Sequence, residues 1–231
     1  MKKAALVCAS DFNQQEFLRL HAQCPFTEIV AVDGGYSHLL AAGVAPTRAL
    51  GDFDSLGFVP HGVPVVTFPE EKDDSDLGLA LSWAAQQPFD LVFVYGAFAG
   101  RPDHTMASYQ AMAGYAQQAG RPVVGVADNS YIAVVPPYWQ IQFTAAQWNP
   151  ATMAGPKDNR AVSFFSLGDQ AGPLSLTGFK YEGCNIMLSC TNTLGLSNEL
   201  KEAECIMASQ GGLVLAFWPL AAGLPIFSLS K

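Results

Sequence analysis

The feature that most restricts the fold is a change of rhythm near residue 128. Over residues 1–127, short β-branched or apolar runs at 4–9, 29–32, 49–50, 63–68, 91–95 and 123–126 alternate with longer stretches. That alternation is what a parallel sheet crossed by helices leaves in a sequence. Two of the longer stretches carry a helical period. Leu77, Ala80, Leu81 and Ala84 recur behind the capping candidates Asp74 and Ser75; Met106, Tyr109, Ala113 and Ala116 recur ahead of Gly120, a residue suited to a helix C-terminus. Beyond residue 128 the runs at 130–135, 139–143, 162–167, 174–179, 186–189 and 213–218 are short, divided by Gly, Pro and Asn, and show no helical period. They predict an antiparallel β sandwich or barrel, with 149–159 as a surface loop. The expected fold class is α/β: an N-terminal parallel-sheet α/β domain over 1–127, followed by a C-terminal antiparallel β-sandwich domain over 128–231.

Composition narrows the function. The chain has 231 residues, half of them hydrophobic, with 12 basic against 20 acidic side chains and a net charge of −8. A core of that size excludes a disordered chain. The acidic balance gives no basic footprint for nucleic acid, so any anionic ligand must be held by local means. Cys8, Cys24, Cys184, Cys190 and Cys205 are odd in number, scattered and without a CxxC pair, which reads as reduced thiols rather than a disulfide framework or a zinc site. Lys2-Lys3 precede an apolar run that ends at Ser10-Asp11, too short for a secretory signal, so a first strand and a cytoplasmic location are expected. Residues 205–230 carry no charge, but Pro219, Pro225 and three glycines interrupt them; buried strands and turns are expected there, not a membrane span.

Twelve aspartates occur, and seven of them fall in four short segments: Val32-Asp33-Gly34-Gly35, Gly51-Asp52-Phe53-Asp54-Ser55, Asp73-Asp74-Ser75-Asp76 and Arg101-Pro102-Asp103-His104. Each lies just past an expected strand, and in an open α/β sheet ligands bind at that edge. If the strands are parallel neighbours, the segments converge on one crevice. Two carboxylates about 4 Å apart repel by about 4 kcal/mol at an effective dielectric near 20. A hard divalent cation reverses that cost, and oxygen-only donors together with substrate phosphates suit Mg²⁺. Structural readings stand beside this one. Asp33-Gly34-Gly35 suits a strand-to-helix turn, Asp74 or Ser75 a helix N-cap, and Asp76 the favourable end of a helix dipole. Arg101 is the only basic residue in the four segments and stands at a helix start, where free N–H groups bind phosphate; His104 also reads as a polar surface residue. No GxxxxGK[ST], GxGxxG, GxSxG or HExxH occurs, which leaves phosphoryl-type chemistry on metal-bound phosphate.

Taken in order, AVDGGYSHLLAAGVAPTRALGDFDSL, DDSDLGLAL, GRPDHTMAS, GFKYEG and LGLSNEL make the chain resemble the thiamine pyrophosphokinase family over nearly its whole length. The resemblance implies a nucleotide- and Mg²⁺-binding α/β catalytic domain, a thiamine-binding β-sandwich domain, and a homodimer whose active sites draw on both subunits. It also implies the reaction of ATP with thiamine to give AMP and thiamine diphosphate. Carried over by position, the family's acidic cluster falls on Asp33, Asp52, Asp54 and Asp76 as catalytic residues, with Asp52, Asp54 and Asp76 as metal ligands. Asp73, Gly100, Arg101, Asp103 and His104 fall on the nucleotide-binding motifs, and Ser197 and Asn198 on the vitamin-binding one. An aromatic residue usual after the Ser-Asn pair is replaced by Leu200.

Other readings remain open at this point. Asp52-Phe53-Asp54 is similar to the paired aspartates of haloacid-dehalogenase-like phosphatases, which would make the chain a Mg²⁺-dependent phosphohydrolase. A pyrophosphokinase acting on a hydroxymethylpterin and a non-catalytic thiamine or nucleotide sensor are further alternatives.

Overall fold

The computed structural model describes residues 1–54, 56–68, 73–145 and 160–230; Ser55 and the loop expected at 149–159 lie outside the described residues. The chain forms two compact units, Met1–Asp128 and Asn129–Lys231.

The first unit runs β1 (Lys3–Val7), α1 (Gln14–Gln23), β2 (Glu28–Val32), α2 (Gly35–Ala41), β3 (Arg48–Gly51), β4 (Val65–Thr67), α3 (Asp76–Ala85), β5 (Leu91–Tyr95), α4 (Pro102–Ala119) and β6 (Val123–Val126). Its strands pair in the order β6-β5-β1-β2-β3-β4, all parallel. Every residue of β1 and of β5 is buried, as strands covered on both faces must be, and their sequences are accordingly continuous apolar runs instead of alternating ones. The connection after β1 leads to β2 on one side, whereas that after β5 leads to β6 on the other. The carboxyl ends of β1 and β5 therefore form the switch point of the sheet, where a crevice opens.

The helices show which local signals were readable. Ser75 caps α3 by accepting from Gly78 N at 3.1 Å, and Leu77, Ala80, Leu81 and Ala84 are buried as their spacing predicts. Gly120 ends α4 with φ 61°. The buried face of α4 is rotated from the expected one: Ser108, Met112, Tyr115 and Ala116 are buried, while Met106 is exposed. Alanines on several sides of α4 blur its apolar stripe, and the large side chains Met112 and Tyr115 decide the face. α1 and α2 carried no clear period. α1 is held by its cap, Asn13 accepting from Glu16 N at 3.0 Å, and by only Phe17 and Leu20 as buried apolar side chains.

The second unit contains β7 (Ser130–Val135), β8 (Trp139–Thr144), β9 (Ala161–Ser166), β10 (Gln170–Thr177), β11 (Gly183–Ser189), β12 (Asn198–Glu199), β13 (Glu204–Ser209), β14 (Val214–Pro219) and β15 (Ile226–Leu229). One antiparallel sheet has the order β12-β9-β14-β7 and the other β11-β10-β13-β8-β15. Aromatic side chains interlock between them: Phe143 meets Trp218 edge-on at 5.7 Å, and Phe164 meets Phe179 at 5.6 Å. This is a β sandwich. The uncharged stretch 205–230 supplies β13, β14 and β15, and among the described residues no helix is long and apolar enough to cross a membrane. None of the five cysteines is in a disulfide; Cys8 and Cys205 are buried.

Candidate active site

Three unusual backbone positions shape the acidic corner. Asp33, at the end of β2, takes φ 47°, and Phe53, after β3, takes φ 61°. A left-handed conformation is costly for a bulky residue and persists where the surroundings dictate it. Here the dictating contact is burial of the Phe53 ring, which is 2% exposed. With the phenylalanine turned into the core, its neighbours Asp52 and Asp54 are left half-buried and exposed. Gly51 lets the two strand ends close. At φ 150° its missing Cβ would lie 3.0 Å from Asp33 Cα, and Asp33 N donates to Leu50 O at 2.8 Å.

The outcome is one group: carboxylate oxygens of Asp33, Asp52 and Asp54 all lie within 4.8 Å of one another. Asp54 N also donates to Asp52 Oδ1, at 3.3 Å. Three hard oxygen donors, partly shielded from water, fit Mg²⁺ and offer nothing to a thiophilic ion.

Beside this group lies a cavity of about 510 Å³ at the switch point, lined by Asp33, Asp76, Gly100, Arg101 and His104, and by Cys8 and Ser10 beyond β1. Its loops are stitched by backbone. Cys8 N donates to Tyr95 O and Ser10 N to Gly96 O, both at 2.9 Å, and Ser10 Oγ donates to Ala99 O at 3.0 Å. Gly35 is the tightest point, because a Cβ there would sit 1.8 Å from Val7 O. Only glycine lets α2 begin against β1 and so bring Asp33 to the cavity.

The remaining expected site residues divide. Asp76 is not in the close trio but shares the cavity with Asp33. Asp73 lines a neighbouring groove between α3 and α4 instead. Arg101 and Asp103 pair with each other at the exposed rim, Nη2 to Oδ2 at 2.6 Å and Nε to Oδ1 at 3.2 Å. The hydrogen bond from Arg101 holds the Asp103 carboxyl below its ordinary value, and the same bond raises the guanidinium. Such an exposed pair is worth little, so the guanidinium is exchangeable toward a phosphate.

Cys8 was not foreseen as a site residue. The run at 4–9 read as strand throughout, but β1 stops at Val7, which puts Cys8 in the loop facing Asp33 and Asp76. Burial, then the nearby charges of Asp76 and Asp33, push its thiol up to about 12. A neutral, inert thiol results.

In the second unit, Ser197 is exposed and left-handed, with φ 57°, and Ser163 Oγ accepts its N–H at 3.0 Å. Asn198 is buried. Its Oδ1 accepts from Tyr181 N at 2.9 Å, and its Nδ2 donates to Tyr181 O at 2.8 Å. Leu200 is 3% exposed and bridges to Phe179, so it belongs to the core and presents no surface to a ligand.

Comparison with known proteins places this geometry. A family model described as the thiamin pyrophosphokinase catalytic domain matches residues 20–124. Thiamine pyrophosphokinase of Bacillus subtilis (strain 168) is 30% identical over 193 residues, covering 80% of this chain and 84% of that protein. The chain belongs to the thiamine pyrophosphokinase family. The crystal structure of thiamine pyrophosphokinase from Bacillus subtilis superposes with a TM-score of 0.74 at 25% identity, over 94% of this chain and 98% of that one. Thiamin pyrophosphokinase from Candida albicans, at 16% identity, shares the fold, with a TM-score of 0.72 over 94% of this chain and 88% of that one.

Proposed function

We propose that this chain transfers the pyrophosphoryl group of ATP to the hydroxyl of thiamine, giving thiamine diphosphate and AMP, with Mg²⁺ as cofactor. The observation that carries this reading is the grouping of Asp33, Asp52 and Asp54 within 4.8 Å, beside a cavity at the sheet's switch point, in a member of this family. Those three carboxylates would hold the cation. When bound, it neutralises phosphate charge that an acidic cleft otherwise repels.

The chain's own groups supply the rest. Arg101, on release from Asp103, meets negative charge on the phosphates. His104 and the loop at Gly100 bound the same cavity and align the nucleotide, and alignment is most of catalysis in a reaction of this type. Asp76 lies outside the trio and is the carboxylate we assign to accept the proton of the attacking hydroxyl. In the second unit, Ser197 and Asn198 belong to the thiamine side. Asn198 acts by fixing the backbone of Tyr181, a residue that is 60% exposed and whose ring centroid lies 5.4 Å from Lys180 Nζ. That ring offers an aromatic surface next to the Ser-Asn pair, which Leu200 does not. The working molecule in this reading is a homodimer with active sites at the subunit interface.

The test is product analysis with purified protein, ATP and Mg²⁺. AMP and thiamine diphosphate formed in equal amounts, and only when thiamine is present, is the expected result. Free phosphate without an acceptor would sink it in favour of a phosphohydrolase, turnover of a hydroxymethylpterin in place of thiamine would redirect it, and binding of both ligands without AMP would make the chain a sensor.

A further inference from the structure

We infer that Ser108 is a positioning residue for the nucleotide: from the buried face of α4, its hydroxyl holds the loop between β5 and α4, which carries Gly100 and Arg101, in the shape that receives phosphate. The inference rests on the reading of ATP as donor and adds what keeps the phosphate loop in place.

Ser108 is 8% exposed and borders the cavity at the switch point. Its Oγ lies 2.9 Å from Ala97 O and 2.9 Å from His104 O. A hydroxyl has one proton to give, and the two acceptors differ in need. His104 O stands four residues back in α4, where the helix ladder already supplies Ser108 N as its donor. Ala97 O receives no other hydrogen bond among the described residues, and Ala97 is itself buried. The proton therefore goes to Ala97 O, because a buried carbonyl left without a donor is costly.

That bond is one of two side-chain ties on the loop. Ser10, beyond β1, makes the other, its Oγ donating to Ala99 O at 3.0 Å. Between Gly96 at φ 65° and Gly100 at φ 81°, the backbone has soft ends and needs such ties. In a trans peptide the carbonyl and the following N–H point opposite ways, so fixing the carbonyls of Ala97 and Ala99 also fixes the N–H groups of Phe98 and Gly100. These two belong to a run, Ala97 to Arg101, in which no N–H has an acceptor among the described residues. Consecutive unpaired donors leading into the first turn of α4 suit a polyanion. With two of its carbonyls taken by serines, the loop has donors to offer an incoming phosphate.

The experiment is calorimetric titration of ATP with Mg²⁺ into wild type, Ser108→Ala, Ser108→Thr and Ser10→Ala, with steady-state kinetics on the same samples and circular dichroism to establish folding. We expect Ser108→Ala to bind ATP about three- to tenfold more weakly, the size of one hydrogen bond. The KM for ATP should rise in step while the KM for thiamine stays within about twofold of wild type. Ser108→Thr keeps the hydroxyl, which reaches the same helix carbonyl in an ordinary rotamer, and should stay within about twofold in ATP binding. Ser10→Ala frees the same loop from a half-buried position, should weaken ATP about threefold, and carries the test should Ser108→Ala not fold. A residue that is merely structural would not split the two KM values or be rescued by threonine. ATP binding equal to wild type in the folded alanine variants overturns the inference, as does equal weakening in Ser108→Ala and Ser108→Thr, or absence of ATP binding by wild type. Should ATP binding follow the expected pattern while thiamine is left unconverted, the assignment of Ser108 stands and the proposed reaction falls.

Discussion

Asp52→Asn isolates the electrostatics of the acidic corner. Asp52 takes part in two of the three close pairs, with Asp33 and with Asp54. At 4.8 Å each pair would repel by about 3.5 kcal/mol at an effective dielectric of 20, but Asp54 is exposed and water screens it, so the realised cost approaches the roughly 1 kcal/mol of surface pairs. The amide keeps the shape and the oxygen that accepts from Asp54 N. Removing one charge should therefore stabilise the metal-free protein by about 1–2 kcal/mol, or about 3–6 °C in melting temperature for a chain of this size. In saturating Mg²⁺ the order should invert. Wild type gains about 2.7 kcal/mol when the ion stands at a hundred times its Kd, whereas the variant has lost a ligand. Turnover of the variant should fall at least about a hundredfold. The assay is a thermal melt of both proteins in EDTA and in Mg²⁺. Equal melting temperatures in EDTA, together with no response of either protein to Mg²⁺, would refute the idea that these carboxylates form a cation site.

Other expectations follow from single contacts. Gly35→Ala places a methyl 1.8 Å from Val7 O and should destabilise by about 3 kcal/mol or prevent folding, whereas Gly114→Ala on α4, with nothing within 4 Å, should be neutral or stabilise by up to about 1 kcal/mol; denaturant titration compares them. Alkylation at pH 8 followed by mass spectrometry should label the exposed Cys24, Cys184 and Cys190 quickly and spare Cys8, whose thiol stays protonated up to about 12; rapid loss of the Cys8 thiol would contradict the buried assignment. Glu199 is held below its ordinary value of 4.5, first by the hydrogen bond from Lys180 and then by that from Arg160. Its contribution to stability is present above pH 4.5 and is lost as the pH falls through the lowered value. Glu199→Gln should flatten that part of an acid-denaturation curve, and an unchanged curve would remove the pair from the account.

The parallel order of the first unit was legible because buried strands such as Leu91–Tyr95 leave unbroken apolar runs, and Ser75 and Gly120 mark helix ends by local chemistry. α1 and α2 were not, since Phe17 and Leu20 make too thin a stripe and α2 is only seven residues long. β13 and β15 hid in an uncharged tail whose pairing depends on distant partners such as Phe143, opposite Cys205. At the site, grouping aspartates at strand ends required only the rule that loops beyond parallel strands converge. It could not tell that Phe53, by burying itself, would orient both its neighbours, or that Asp33, Asp52 and Asp54 would gather most closely while Asp76 stands at the adjoining cavity. The turn of Asp103 toward Arg101 and the placement of Cys8 beside the cavity depend on backbone geometry that no spacing encodes.

The account is tested most directly by following ATP labelled at the β-phosphorus through a single turnover with wild-type protein, thiamine and Mg²⁺. The label should move entirely into thiamine diphosphate, leaving unlabelled AMP. Label recovered in ADP or inorganic phosphate, with thiamine unchanged, would contradict pyrophosphoryl transfer at this cleft.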